Sequence, residues 1–214
     1  MLLSMNITFY FDPSCPFCWI TSRWLLLVSQ HRSVEITLNP FSLALKNNEL
    51  RGDKTEHSQE HRESHRVLRV MLAAQQKFGT SMIDLYSTAT YQRLIAGKPF
   101  NDRLIQDLLI KHSLAQSLLE DADNTKYDST LQNYIDEATE ISGQDIGVPF
   151  IVFESSDSKT SGFFGPVLQA MPSTTDALKL WDGLTTLATD PNFYELKRTR
   201  PPNGPDVKST VLPH

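Results

Sequence analysis

The chain has 214 residues, with 25 Asp and Glu against 20 Lys and Arg, a formal net charge of −5. That length accommodates one good core with a sizeable insertion, or two small domains. The acidic balance, with no basic run interleaved with aromatics, excludes a nucleic-acid binder, and no stretch approaches the roughly 20 apolar residues of a membrane span.

In chain order, Met5, Ile7, Phe9 and Phe11 alternate with more polar neighbours and predict a first strand. Asp12-Pro13-Ser14 is the turn that follows, and the apolar segment from Trp19 to Val28 predicts a helix opening at Cys15. Val34, Ile36 and Leu38 alternate with Glu35, Thr37 and Asn39, which predicts a second strand and completes a βαβ unit. From Ser58 to Ser142 the period becomes helical. Val67, Leu68, Met71, Leu72 and Phe78 form one stripe, and Met82, Leu85, Tyr86 and Ala89 a second. Leu104, Ile105, Leu108 and Leu109 form a third, and the run from Tyr127 through Leu131 and Ile135 to Ile141 a fourth. Gly79, Gly97-Lys98-Pro99 and Gly143 punctuate these helices. The strand signal returns at Val148 to Phe153. A polar loop from Glu154 to Thr160 leads to a hairpin partner at Gly162 to Pro166. Ser173 with Asp176 reads as a capping box for a last helix ending near Ala188. The proline-rich remainder reads as irregular, and Lys197-Arg198-Thr199-Arg200, the strongest cationic stretch, as solvated or docked tail.

Both cysteines lie in one motif, Cys15-Pro16-Phe17-Cys18. A thiol at the start of a helix lies near unpaired backbone N–H groups and the positive end of the helix dipole, which favour the thiolate. Cys18, three residues later, shares that helical face and is placed to attack a mixed disulfide at Cys15, so Cys15 is the expected nucleophile and Cys18 the resolving thiol. Two cysteines at this spacing do not build a disulfide framework, and Met1 to Met5 is too short and uncharged to begin a secretory signal. A cytoplasmic protein with a transient, catalytic disulfide is expected. Pro16 stiffens the turn and Phe17 offers an apolar contact beside the sulfur, so both are assigned to substrate binding. A zinc site needs four ligands, and no second cysteine pair exists. His57, His61 and His65 share a helical face but sit among Glu56, Gln59, Glu60, Arg62 and Glu63, which reads as a solvated surface; no metal is expected. No GxGxxG follows a strand, so neither bound flavin nor nicotinamide is indicated.

The order βαβ, helical block, ββα, with CxxC at the first helix and Val148-Pro149 at the return strand, resembles the thioredoxin fold of the DsbA family. In that α/β fold an all-helical subdomain interrupts the thioredoxin core. The boundaries implied are 1–45 and 145–200 for the thioredoxin-like domain, 46–144 for the helical insertion and 201–214 for a flexible tail. The resemblance sharpens at the segments Phe11 to Trp24, Ser42-Leu43-Ala44, Gly165-Pro166-Val167-Leu168 and Phe193 to Arg200, which together look like the actinobacterial mycothiol-dependent nitroreductase branch.

The resemblance implies a cis Pro149 facing the CxxC helix, with the Val148 backbone presented to substrate. It places Asn47 near the active-site cleft and aligns His57 with a position that is aromatic in mycobacterial-type relatives, which makes both substrate-binding candidates. It also implies mycothiol as thiol cosubstrate, no tightly bound cofactor, and nitroaromatic reduction as an assayable activity. A small electrophilic or disulfide substrate, a redoxin or mycothione reductase as reducing partner, and a monomer or weak homodimer complete the expectation. The rival readings are a general protein disulfide oxidoreductase or isomerase, a kappa-class glutathione transferase, which typically has serine for the nucleophilic cysteine, and a redox-inert metal-binding or structural CxxC module.

Overall fold

The computed structural model describes residues 5–154 and 160–211. The strands are β1 (Met5–Phe11), β2 (Val34–Pro40), β3 (Phe150–Glu154) and β4 (Thr160–Phe164). The helices are α1 (Pro16–Ser29), α2 (Leu43–Lys46), α3 (Ser58–Phe78), α4 (Met82–Thr90), α5 (Asp102–Lys111), α6 (Asp128–Ser142) and α7 (Thr174–Ala188). The middle of the polar loop expected over Glu154 to Thr160 lies outside the described residues, as do the first four positions.

The chain divides into two compact units, one of Met1–Tyr10, Pro16–Thr37 and Ala138–His214, the other of Phe11–Cys15 and Leu38–Glu137. The first is built on the four-stranded sheet, ordered β2-β1-β3-β4. β3 pairs antiparallel with β1, with Phe9 opposite Ile151 and Tyr10 opposite Phe150, and antiparallel with β4, with Val152 opposite Gly162. Flanked on both edges, β3 is apolar and buried from Phe150 to Phe153, as a strand enclosed on both faces has to be. Phe9, Ile20, Trp24, Phe150 and Ile151 are fully buried and make this unit's core. The α1–α7 contact is aromatic: Trp24 lies 5.9 Å from Trp181 and its indole N–H donates to the Ala177 carbonyl at 3.0 Å. Ser173 caps α7, its hydroxyl oxygen accepting from the Asp176 N–H at 3.2 Å, as the sequence pattern predicts.

Gly162 is where the sheet tolerates no side chain. A Cβ there would lie 2.4 Å from Phe150 Cζ and 2.8 Å from Ile141 Cγ2, so the buried Phe150 ring occupies the space a larger residue would need.

The second unit is helical. Val67, Leu68, Met71 and Leu72 of α3, Leu85 and Tyr86 of α4, and Leu104 and Leu108 of α5 bury the stripes read from the sequence. Phe11, at the end of β1, meets Tyr86 at 4.2 Å. Two members of those stripes differ from expectation. Phe78 is 55% exposed because it is the last residue of α3, where Gly79 takes a left-handed turn, and Ile141 is half exposed near the end of α6. α4 runs on into a π turn at Tyr91–Ile95, and 3-10 turns, not α-helix, span Gln116–Asp123 and Thr125–Tyr127.

The end beyond Pro201, read from sequence as a flexible tail, carries specific contacts in the first unit. Val207–Thr210 forms a 3-10 turn, the Asp206 N–H donates to the Gln169 carbonyl at 2.8 Å, and the Trp19 indole N–H donates to Thr210 Oγ1 at 2.8 Å. The polar composition of the segment hid these bonds, because each has its partner far away in the chain.

Candidate active site

In the second unit, the loop that delivers Cys15 is organised by the Asp12 carboxyl, which is fully buried. One carboxyl oxygen accepts from the Ser14 N–H at 2.9 Å, from the Ser14 hydroxyl at 2.7 Å and from the Ser64 hydroxyl of α3 at 2.5 Å. The other accepts from the Leu43 N–H, which opens α2, at 2.8 Å. The Asp12 carbonyl accepts from the Cys15 N–H at 3.0 Å. Asp at the first position of a turn, bonding the N–H two residues on, is a local preference of that side chain. The bonds to α2 and α3 are long-range and were not legible in the sequence. Cys15 is 8% exposed and immediately precedes Pro16, the first residue of α1, where a missing N–H costs nothing. Cys18 is fully buried.

A second buried polar chain runs behind this loop. Ser42 caps α2 by accepting from the Leu45 N–H at 3.2 Å, and its hydroxyl meets His65 Nδ1 at 2.8 Å. His65 Nε2 meets Asp128 at 3.1 Å, and Arg69 grips the same carboxylate through two bonds of 2.7 and 2.6 Å. Burial, and then the Arg69 charge, push the His65 imidazole below its ordinary range, so the neutral form is favoured. Burial alone would raise the Asp128 carboxyl, but the Arg69 bonds outweigh it and hold the group low. His65, read from sequence as part of a solvated face, is 1% exposed. That reading is corrected for His65, because Ser42 and Asp128 from elsewhere in the unit, the latter gripped by Arg69, satisfy both ring nitrogens in place of water.

His61 pairs with the fully buried Glu49 at 2.5 Å, and Glu49 also accepts from the Thr55 hydroxyl at 2.9 Å. Burial would raise Glu49, and these bonds hold it below its usual value instead. Asn47 is exposed at the C-cap of α2, its N–H donating to the Leu43 carbonyl at 2.9 Å. His57 is exposed at the start of α3, 6.1 Å from the His61 ring and within 3.4 Å of Glu56. α2 thus ties Asn47 to the Asp12 loop through the Leu43 N–H, whereas the contacts of His57 are local to α3.

In the first unit, Phe17 is half-buried on the opening turn of α1. Val148 and Pro149 are buried and joined by a cis peptide bond. The Pro149 carbonyl accepts from the Gly165 N–H at 2.8 Å, and the Pro166 carbonyl accepts from Thr21 of α1 at 2.8 Å. Two bonds therefore link the return strand to the CxxC helix by way of Gly165-Pro166. That second peptide is also cis, and Gly165 has φ +112, a conformation that side chains disfavour. The Arg200 guanidinium lies over the Phe17 ring at 5.3 Å. Sequence reasoning singled out Gly165-Pro166 and Arg200 as segments but assigned neither to the site. The available signals were the Gly-Pro pair after a strand for the first, and for both the family resemblance of their segments, which does not say which side chain reaches the motif.

The family model described as Rv2466c-like, mycothiol-dependent nitroreductase Rv2466c, matches residues 14–198. The uncharacterized protein Rv2286c of Mycobacterium tuberculosis (strain ATCC 25618 / H37Rv) is 28% identical over 201 residues, 92% of this chain and 83% of that protein. Among solved structures, the Chlamydia trachomatis DsbA superposes with a TM-score of 0.57 at 15% identity, covering 87% of this chain and 89% of that one. A probable DsbA oxidoreductase from Streptomyces coelicolor gives 0.56 at 16% identity, covering 94% and 98%. The cytosolic disulfide reductase DsbM from Pseudomonas aeruginosa gives 0.55 at 13% identity, covering 86% and 100%. The fold is that of DsbA-like thioredoxin proteins.

Proposed function

The chain belongs to the Rv2466c-like family of mycothiol-dependent nitroreductases, a thiol oxidoreductase family, and from that premise we propose that it is a cytoplasmic, mycothiol-dependent reductase able to reduce nitroaromatic compounds. One observation carries the reading: the family match covers residues 14–198 of a chain whose two cysteines form one CxxC motif at the N-terminal end of α1. Cys15 is the nucleophile and Cys18 resolves. In the first half of the cycle the dithiol gives two electrons and two protons to the nitro group, which becomes nitroso with loss of water, while Cys15 and Cys18 close as a disulfide. In the second, one mycothiol thiolate attacks that disulfide, forming a mixed disulfide with one cysteine and releasing the other; a second then attacks the mycothiol sulfur and expels the remaining cysteine thiolate, restoring both thiols and leaving oxidised mycothiol.

Pro16, Phe17, Asn47, His57, Val148 and Pro149 are the proposed substrate contacts. Pro149 and Phe17 have the firmest support, from their bonded connection to α1 and their place in the motif. No cofactor is required, because the electrons come from the small thiol.

The test is a single assay with a nitroaromatic substrate and three alternative reductants: mycothiol, glutathione and thioredoxin. Turnover with mycothiol, at least ten-fold above the other two, is the expected result. Turnover of reduced polypeptides or insulin with no nitroaromatic activity would replace the proposal with the protein disulfide oxidoreductase reading.

A further inference from the structure

The segment after α7 in the first unit brings an arginine to the CxxC helix that the redox cycle does not use. Its start is fixed by Phe193, whose ring lies 5.8 Å from Phe163 of β4. Seven residues on, the Arg200 guanidinium carbon lies 5.3 Å from the Phe17 ring and 5.5 Å from the Phe164 ring. Two aromatic faces attract a planar cation and limit its orientations. Arg32, Arg66 and Arg69 each engage a carboxylate at 2.6–2.8 Å. Among the described residues Arg200 has no such partner, and it is exposed. Its N–H donors are therefore available to a ligand, and their planar fork fits a carboxylate through two parallel bonds.

The surroundings suit an aromatic anion. Phe17, Phe164 and Arg200 line one open groove of the first unit, about 1880 Å³ in volume and bordered by Tyr194 and Leu196. A drug-sized ligand fills roughly 300–1,000 Å³, so the groove as a whole does not select a small substrate by shape. Selection has to come from a local feature, and the clamped cation beside Phe17 is the one at the motif.

We propose that Arg200 is a specificity-determining residue: held between Phe17 and Phe164, it binds the carboxylate of an anionic aromatic disulfide or electrophile whose ring lies against Phe17. The proposal rests on the assignment of Cys15 as nucleophile, and not on nitroreduction. With an aromatic disulfide, the Cys15 thiolate forms a bond to one substrate sulfur as the substrate S–S bond breaks, and one arylthiolate leaves with the electron pair. Cys18 then attacks the Cys15 sulfur and expels the second arylthiolate. The dithiol loses two electrons and the disulfide gains them.

The experiment uses the full-length reduced protein and two chromogenic disulfides, the dianionic dithiobis(nitrobenzoate) and the neutral dithiodipyridine, with arylthiolate release followed by stopped flow. Arg200→Gln should slow the reaction with the dianion by about five-fold, the scale of a single well-formed exposed charge contact, and alter the neutral rate by less than about two-fold. Phe164→Leu should shift the ratio in the same direction. Arg32→Gln, which removes one positive charge elsewhere in the unit, should leave it unchanged. Equal slowing of both reagents by Arg200→Gln, no slowing of either, or an equal effect of Arg32→Gln would overturn the proposal. A wild-type protein inert to both disulfides would remove the assignment of Cys15 as nucleophile, and this proposal with it.

Discussion

Four donors converge on the Asp12 carboxyl inside the second unit, and a fifth, the Cys15 N–H, bonds its carbonyl. Truncating a buried acceptor leaves its donors without water or protein partners, which costs more than the lost bonds themselves. Asp12→Ala should therefore destabilise the fold by about 3 kcal/mol in urea unfolding, and a loss under about 1 kcal/mol would show that the loop relaxes around the gap. The cysteines are tested at the same scale. Cys15→Ser should abolish turnover, while Cys18→Ser should accumulate a mixed disulfide with the small thiol, visible by intact-protein mass spectrometry. Wild-type activity in the Cys15 variant would disprove the mechanism.

At the scale of elements, β3 and β4 are held together where Gly162 faces Phe150. Gly162→Ala forces a methyl into the space of a fully buried ring, and overpacking of this kind costs about 1–3 kcal/mol. In a double-mutant cycle with Phe150→Leu the penalty of Gly162→Ala should shrink but not vanish, because the nearest clashing atom, Phe150 Cζ, is gone while Ile141 Cγ2 stays. Additive penalties would mean that the strand pair yields elsewhere. The helical elements obey their periodicity: apolar stripes of α3, α4 and α5 that the sequence displays at spacings of three and four are the ones that are buried. Exceptions fall at helix ends, Phe78 and Ile141, where a stripe runs past the last turn that has something to cover it.

Across the whole molecule, acid should weaken the second unit before carboxylates begin to protonate. His65 is held below its ordinary value by burial and the Arg69 charge, and His112 by burial and Lys111. Above about pH 6.5, the ordinary histidine value, both folded and unfolded chains keep these imidazoles neutral and their contribution is complete. As the pH falls through that value, the unfolded chain takes up protons that the folded one refuses, and stability drops. Unfolding free energy should be lower at pH 5 than at pH 7, and His65→Gln should flatten that slope whatever it does to stability at pH 7. An unchanged slope in the variant would assign the pH dependence to other groups.

The alternation of Met5 to Phe11, the helical stripes of 58–142 and the capping pair Ser173 and Asp176 were legible in the sequence, because neighbours within a few positions decide them. So was the CxxC motif, whose place at the start of a helix follows from a strand, a turn and an apolar run in succession. What only the tertiary structure decided lies at long separation in the chain: Asp12 with Ser64, His65 with Asp128, Trp19 with Thr210, and Arg200 with Phe17. A polar side chain carries no mark of whether water or a distant residue will satisfy it. His65 and Arg200 therefore looked alike in sequence, and folding buried one and left the other exposed over the Phe17 ring.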